Sequence, residues 1–195
     1  MAQGLKLNLG SGNHPLPGYV NVDRSGTPDV LHDLETFPWP WETSSVEEIV
    51  LNHVLEHLGE TTEKFFGVVK ELYRVSAPGA TIRIAVPHPR HDDFISDPTH
   101  VRTITPRGLG LFSKAKNEAW AGTSLANTPL GRQLDVDLEV VSVSNVLDEP
   151  WASRLKNNEI GPEELASAAR QYNNVVKEIR MVVRVIKPQA ASPTM

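Results

Sequence analysis

The chain contains no cysteine, which excludes a disulfide framework and any zinc site built on thiolates. Basic residues are not in excess: 19 Lys and Arg stand against 24 Asp and Glu, for a formal net charge of -5. No Lys/Arg stripe marks a phosphate-backbone footprint, so nucleic acid is not an expected partner. No apolar run approaches the ~20 residues that cross a bilayer, and the first strand-like run begins at Leu5, leaving no room for a secretory leader. The expectation is a cytoplasmic protein with no membrane partner. Aromatics are sparse at 6%, whereas hydrophobic residues make up 39% of the 195. A single domain of that size buries roughly 70% of its unfolded surface, enough for one core.

What the chain does have is alternation. Leu5–Leu9, Tyr19–Val22, Asp29–Leu31 and Glu48–Leu51 read as strands, the last around the apolar run Ile49-Val50-Leu51. Phe65, Phe66, Val69, Leu72 and Tyr73 recur at helical spacing over Thr62–Val75, and Ala77-Pro78-Gly79 stops that helix. Thr81–Val86 is a fifth strand closed by Pro87. This order argues for a parallel α/β sheet with right-handed crossovers. Further on, Pro87–Pro106 is polar and rich in His, Gly108–Trp120 is predicted helical, and Ala121–Gly131 is a predicted loop. Leu138–Val146 and Val175–Ile186 have strand character and flank a helix over Pro162–Tyr172. Pro162 suits the first turn of that helix, and Glu163 and Glu164 oppose its positive end. Periodicity ends at Ile186, so 1–187 is drawn as one domain and 188–195 as a flexible tail.

Gly10-Ser11-Gly12 follows the first strand, and Asp23 ends the second. Bare backbone at such a turn lets a ligand approach, and an acid one strand over can hold ribose hydroxyls. A tight turn alone accounts equally well for an isolated Gly-x-Gly. The third glycine of the dinucleotide fingerprint is missing, since position 15 is Pro. Asn13–Gly18 offers six residues with two prolines, too short for an ordinary crossover helix. The first crossover is therefore shortened, and NAD is disfavoured.

Further segments follow in order: Asp33-Leu34, Phe37-Pro38-Trp39-Pro40-Trp41, the run from Val46 to Leu58, and Glu71 to Ala80 leading to Val86-Pro87. Together with the opening strand and turn, this series resembles the class I S-adenosylmethionine-dependent methyltransferases of the short bacterial type. The resemblance covers about Leu5 to Pro87, and more loosely the C-terminal hairpin. It implies a Rossmann-like, mostly parallel sheet with a C-terminal antiparallel hairpin, and S-adenosylmethionine as cofactor. By that resemblance Gly10, Ser11 and Gly12 line the methionine end, Asp23 accepts both ribose hydroxyls, and Asp33 with Leu34 meets the adenine. Asn52 and His53 close the pocket near the sulfonium. The family often has an acid where this chain has Asn8, which removes one contact to the methionine ammonium. The implied activity is methyl transfer, and the acidic chain without a basic stripe points toward a small-molecule or glycan-type acceptor.

Two clusters carry other readings. His53-Val54-Leu55-Glu56-His57 spells H-x-x-E-H, a zinc-protease pattern. It directly follows a buried strand, and the alternative is that Glu56 and His57 are helix-start and packing residues. His88, His91, Asp92, Asp93, Asp97 and His100 crowd one loop at the carboxyl end of a strand. That loop reads as a solvated surface, a substrate loop with a general base, or a divalent metal site. His88 and His100 are the candidate catalytic bases, chosen by position, and no residue is assigned to a metal. Trp39 and Trp41 read as loop anchors. The rival functions are a non-catalytic binding protein on the same fold and a metal-dependent hydrolase using the His-rich loop. The oligomeric state is not legible.

Overall fold

The computed structural model describes residues 4–124 and 126–188. Its strands are β1 (Leu5–Leu9), β2 (Val20–Asp23), β3 (Val30–Leu31), β4 (Val46–Asn52), β5 (Ser76–Pro87), β6 (Leu138–Leu147) and β7 (Val176–Val185). They form one sheet in the order β3-β2-β1-β4-β5-β7-β6. The first five run parallel, and β7 inserts antiparallel between β5 and β6, with Ile84 opposite Met181 and Met181 opposite Val143. The expected α/β class, Rossmann-like with a C-terminal antiparallel hairpin, is the one observed.

Strand alternation assigns the two faces of this sheet. Ile49, Leu51, Ile82, Ile84, Met181 and Val183 point to one face, and all are at most 4% exposed. Helix α1 (Thr62–Val75) packs on it with Phe65, Val68, Val69, Leu72 and Val75. Burying each such side chain contributes about 1.5–3 kcal/mol. The helix starts where the Thr61 side chain accepts the Lys64 N–H at 3.3 Å. Ile104, Leu109 and Phe112 complete the core.

Thr81, Arg83 and Ala85 alternate onto the opposite face, across from Arg184, Val182 and Arg180. This face is laced by ion pairs: Lys6–Glu48 at 3.2 Å, Arg83–Glu48 at 2.7 Å and Arg180–Glu178 at 2.6 Å. Parallel sheets normally carry crossover helices on both faces. Here β1–β2, β2–β3 and β3–β4 are all joined without a helix. The shortened first crossover is thus a loop, pinned by amides instead of apolar packing. Asn8 Nδ2 donates to Asn21 Oδ1 (2.9 Å) and to the His14 carbonyl (3.2 Å). Asn21 Oδ1 also accepts the Leu16 N–H (2.7 Å), while Asn21 Nδ2 donates to Asp29 Oδ2 (2.9 Å).

The remaining helices are α2 (Asp92–Ile95), α3 (Pro106–Leu109), α4 (Lys114–Ala121), α5 (Leu130–Gln133), α6 (Trp151–Lys156) and α7 (Pro162–Gln171). The helix predicted over Gly108–Trp120 is broken into α3, a 3-10 turn at Gly110–Phe112, and α4. Ser113 makes the break, because it is extended and its hydroxyl caps α4. The predicted loop 121–131 gives way to α5, and α6 had no sequence expectation. β5 begins at Ser76, with a register shift against β4 that absorbs Ala77-Pro78-Gly79. Lys187 is held firmly, its Nζ donating to the Ser76 carbonyl (2.6 Å), the Arg74 carbonyl (3.0 Å) and Ser44 Oγ (3.0 Å). Of the tail expected at 188–195, all but Pro188 lies outside the described residues. Among the described residues no helix is long and apolar enough to cross a membrane.

Candidate functional site

At the carboxyl end of β1 the chain turns at Gly10, with φ +68°. A Cβ there would stand 2.4 Å from Val54 Cγ2, so both the backbone conformation and the contact require glycine. Gly12 also has positive φ, +47°, but a Cβ there would meet nothing within 4 Å. Its backbone faces open space, and its N–H donates to Asp23 Oδ2 at 2.8 Å. Asp23 Oδ1 accepts the Ser25 N–H (3.1 Å) and hydroxyl (3.3 Å). Partial burial pushes the Asp23 carboxyl up, but the hydrogen bonds from Gly12, Ser25 and the Arg24 backbone outweigh it and hold the group below its ordinary range. Asp23 is therefore a fixed anion at the end of β2.

His53 follows β4 in the left-handed region, φ +55°, where a non-glycine residue is uncommon and histidine is among the more tolerated. Its N–H donates to the Ala85 carbonyl (2.8 Å), fixing the turn. The ring lies between two carboxylates, with Nε2 2.7 Å from Glu178 Oε2 and Nδ1 3.4 Å from Glu56 Oε1. Glu56, then Glu178, raise its pKa against the opposing effect of burial. Glu178 is pulled below the usual carboxylate range by Arg180 and His53, although burial pushes it the other way.

Two cavities of about 620 Å³ each meet at Gly10, Gly12 and His53, a volume within the ordinary ligand range. The first lies at the carboxyl ends of β1, β2 and β4. It gathers Gly10, Gly12, Asp23, Asp33, Leu34 and His53, together with Val54, His57 and Leu58. Leu34 is 5% exposed, and Asp33 Oδ1 accepts the Glu35 N–H at 2.9 Å, which shapes the chain beside it. The other two residues expected to bind cofactor, Ser11 and Asn52, line the second cavity. That cavity runs over the polar sheet face beside Asn8, His14, Arg83 and Arg180.

The loop beyond β5 divides. His91 is a clasp: its Nδ1 accepts the Asp93 N–H (3.0 Å), and its Nε2 pairs with Asp148 Oδ2 (3.0 Å). His88 Nδ1 accepts the Arg90 N–H at 3.2 Å. Burial, then the neighbouring Arg90 and His91, lower the His88 pKa. His100 Nδ1 bonds the Phe94 carbonyl at 2.9 Å, and its ring stacks on Phe94. Neither His88 nor His100 lines either cavity. Trp39 and Trp41 anchor their loop as expected: Trp39 Nε1 donates to the Leu34 carbonyl (3.1 Å), and Arg74 holds the carbonyls of both tryptophans. Sequence reasoning missed Glu178, which arrives from the hairpin, and read Glu56 either within the H-x-x-E-H pattern or as a helix-start and packing residue. Their signal lay in charge at core-adjacent positions of β7 and of the H-x-x-E-H run.

The sheet, parallel through β5 and with β7 reversed, is similar in fold to solved S-adenosylmethionine-dependent methyltransferases. Among solved structures, a SAM-dependent methyltransferase from Archaeoglobus fulgidus aligns with TM-score 0.61 at 15% identity, over 94% of this chain and 86% of that one. The 1,6-didemethyltoxoflavin-N1-methyltransferase of Burkholderia thailandensis, solved with 1,6-didemethyltoxoflavin and S-adenosylhomocysteine, gives 0.52 at 12% identity, over 94% and 71%. The [4+2]-cyclase SpnF gives 0.52 at 14%, over 95% and 76%. No family model and no curated protein sequence matches the chain. At these identities the likeness is one of fold, and a fold that hosts both methyltransferases and a cyclase does not fix the reaction.

Proposed function

We propose that the protein is a methyltransferase that uses S-adenosylmethionine and acts on a small polar or glycan-type acceptor. The observation that carries this reading is the Asp23 carboxylate, fixed at the end of β2 in one cavity with the glycine turn and Leu34. Each carboxylate oxygen has two acceptor positions; Gly12 and Ser25 occupy positions on both, and a ribose hydroxyl can take the place of the Ser25 hydroxyl, which is free to rotate away. Leu34 supplies an apolar wall for an adenine, and Asp33 a polar edge. Gly10 and Gly12 allow the methionine portion close to backbone, with Ser11 and Asn52 on the side of the adjoining cavity.

S-adenosylmethionine, when bound, would supply an activated methyl group for in-line displacement; the carbon–sulfur bonding pair would stay with sulfur, and the acceptor's proton would pass to solvent. The sulfonium is already activated, so the protein's contribution is proximity and alignment. His53, at the junction of the two cavities, is the imidazole we assign to face the acceptor, in preference to His88 and His100. The amides, hydroxyl and arginines of the second cavity support a polar acceptor. Asn8 acts as the clasp of the first crossover and leaves the ammonium to backbone contacts. The acidic, cysteine-free composition supports a cytoplasmic setting.

Urea unfolding with and without S-adenosylhomocysteine tests the reading. At 100 times its dissociation constant the ligand should stabilise the chain by about 2.7 kcal/mol. No stabilisation by either S-adenosylhomocysteine or S-adenosylmethionine would favour a non-catalytic binding protein instead.

A further inference from the structure

We propose that Glu56, His57 and His100 form a site for a divalent transition cation of the zinc class. Each offers one ligand atom, and the three atoms lie within 4.8 Å of one another. They come from two segments joined by backbone. The carbonyl of Glu56, in the 3-10 turn Leu55–His57, accepts the N–H groups of Val101 (2.9 Å) and Arg102 (3.2 Å). That docking brings His100 against His57, with ring centroids 4.5 Å apart.

Two independent features point to a cation. The Glu56 side chain is 1% exposed, and neither carboxylate oxygen has a hydrogen-bond partner. A buried carboxylate is costly unless it is paired or ligates a metal, and its nearest cationic neighbour, His53, stands at 3.4 Å. The second feature is the hydrogen bonding of the two rings. The Phe94 carbonyl can only accept, so His100 Nδ1 carries the proton. The Thr99 hydroxyl donates to Asp97 Oδ1 at 2.6 Å, which leaves its oxygen to accept from His57 Nδ1 at 3.0 Å. Both imidazoles are therefore held at Nδ1 by a hydrogen bond, as metal-ligating histidines are, which leaves Nε2 to face a ligand; His100 Nε2 also stands 3.8 Å from Asp97 Oδ2.

Two imidazoles and one carboxylate suit zinc and not the oxygen-seeking calcium or magnesium. Tetrahedral zinc places its nitrogen and oxygen ligands ~3.4 Å apart, so loading draws the three side chains together. The H-x-x-E-H run is thereby used differently from its protease form. His53 stands between Glu178 and Glu56 and is not a ligand, Glu56 becomes a ligand, and His100 supplies the second imidazole. His57 also lines the Asp23 cavity, so a fourth position on that side is open to water or an oxygen ligand. The site stands independently of the methyl-transfer reading.

The test uses the full chain, stripped with chelator and dialysed, titrated with Zn²⁺ by calorimetry and with Co²⁺ by visible absorption. One equivalent should bind, with a Co²⁺ band of tetrahedral intensity. His57→Ala and His100→Ala should each weaken binding at least tenfold, and Glu56→Gln likewise, while His14→Ala should leave it unchanged. Circular dichroism identifies any variant that fails to fold, and the half-exposed His57 keeps the test decisive if Glu56→Gln does. Absence of stoichiometric metal, or full affinity retained in both histidine variants, would overturn the site.

Discussion

The β1–β2 and β4–β5 connections perform the same topological task with different materials. Each returns the chain so that the next strand lies parallel to the last. Between β4 and β5 the return is α1, a helix whose Phe65, Val68, Val69, Leu72 and Val75 bury against the sheet. Between β1 and β2 it is a short loop held by Asn8, Asn21 and Asp29 through hydrogen bonds. The apolar crossover helix builds the core and lines neither cavity. The polar crossover leaves the sheet face uncovered, and the second cavity opens over it beside Asn8, His14 and Arg83, where a helix would otherwise stand.

This contrast sets the order of expected effects. Leu72→Ala removes a side chain 3% exposed in the middle of the helical crossover, and should destabilise by about 2–5 kcal/mol in urea unfolding. A cost below that range would mean the helix is not the main support of the sheet. Asn21→Ala strips the loop crossover of its central amide and should cost about 1–3 kcal/mol. The same variant should also bind S-adenosylhomocysteine more weakly, because the turn at Gly10–Gly12 is no longer braced. Equal ligand affinity would separate the clasp from the cavity.

The smallest effect concerns pH. Burial raises the pKa of Glu71, but Arg74 (2.7 and 2.8 Å) and the Trp39 N–H (2.6 Å) outweigh it and depress the folded value. A carboxyl depressed on folding contributes stability above its unfolded pKa of about 4.3, and that contribution is lost as pH falls through the lower folded value. Glu71→Gln should therefore flatten the acid limb of a stability profile below that pH. An unchanged slope would remove Glu71 from the account.

The legible parts of the molecule were those encoded locally. Leu7, Leu9, Ile49 and Leu51 announced the central strands, α1 announced itself by its period, and the Gly10–Gly12 turn with Asp23 stood within one short stretch. The helix expected over Gly108–Trp120 breaks at Ser113, which is extended and caps α4. The rest depended on contacts distant in sequence. Glu178 reaches His53 only because β7 pairs with β5, and His100 reaches Glu56 only because Val101 and Arg102 dock on its carbonyl. No spacing in the chain encodes either meeting. The His-rich loop, open to surface, substrate and metal readings, divides in space: His91 pairs with Asp148, while the His100 ring lies against His57.

The central claim is that Asp23 makes this cavity a nucleoside-cofactor site. Calorimetric titration of S-adenosylhomocysteine into the wild-type chain and Asp23→Ala tests it directly. The account predicts saturable one-site binding to the wild type and at least a hundredfold loss in a variant that still melts cooperatively. Equal affinity in the two proteins, or no binding to either, would contradict it.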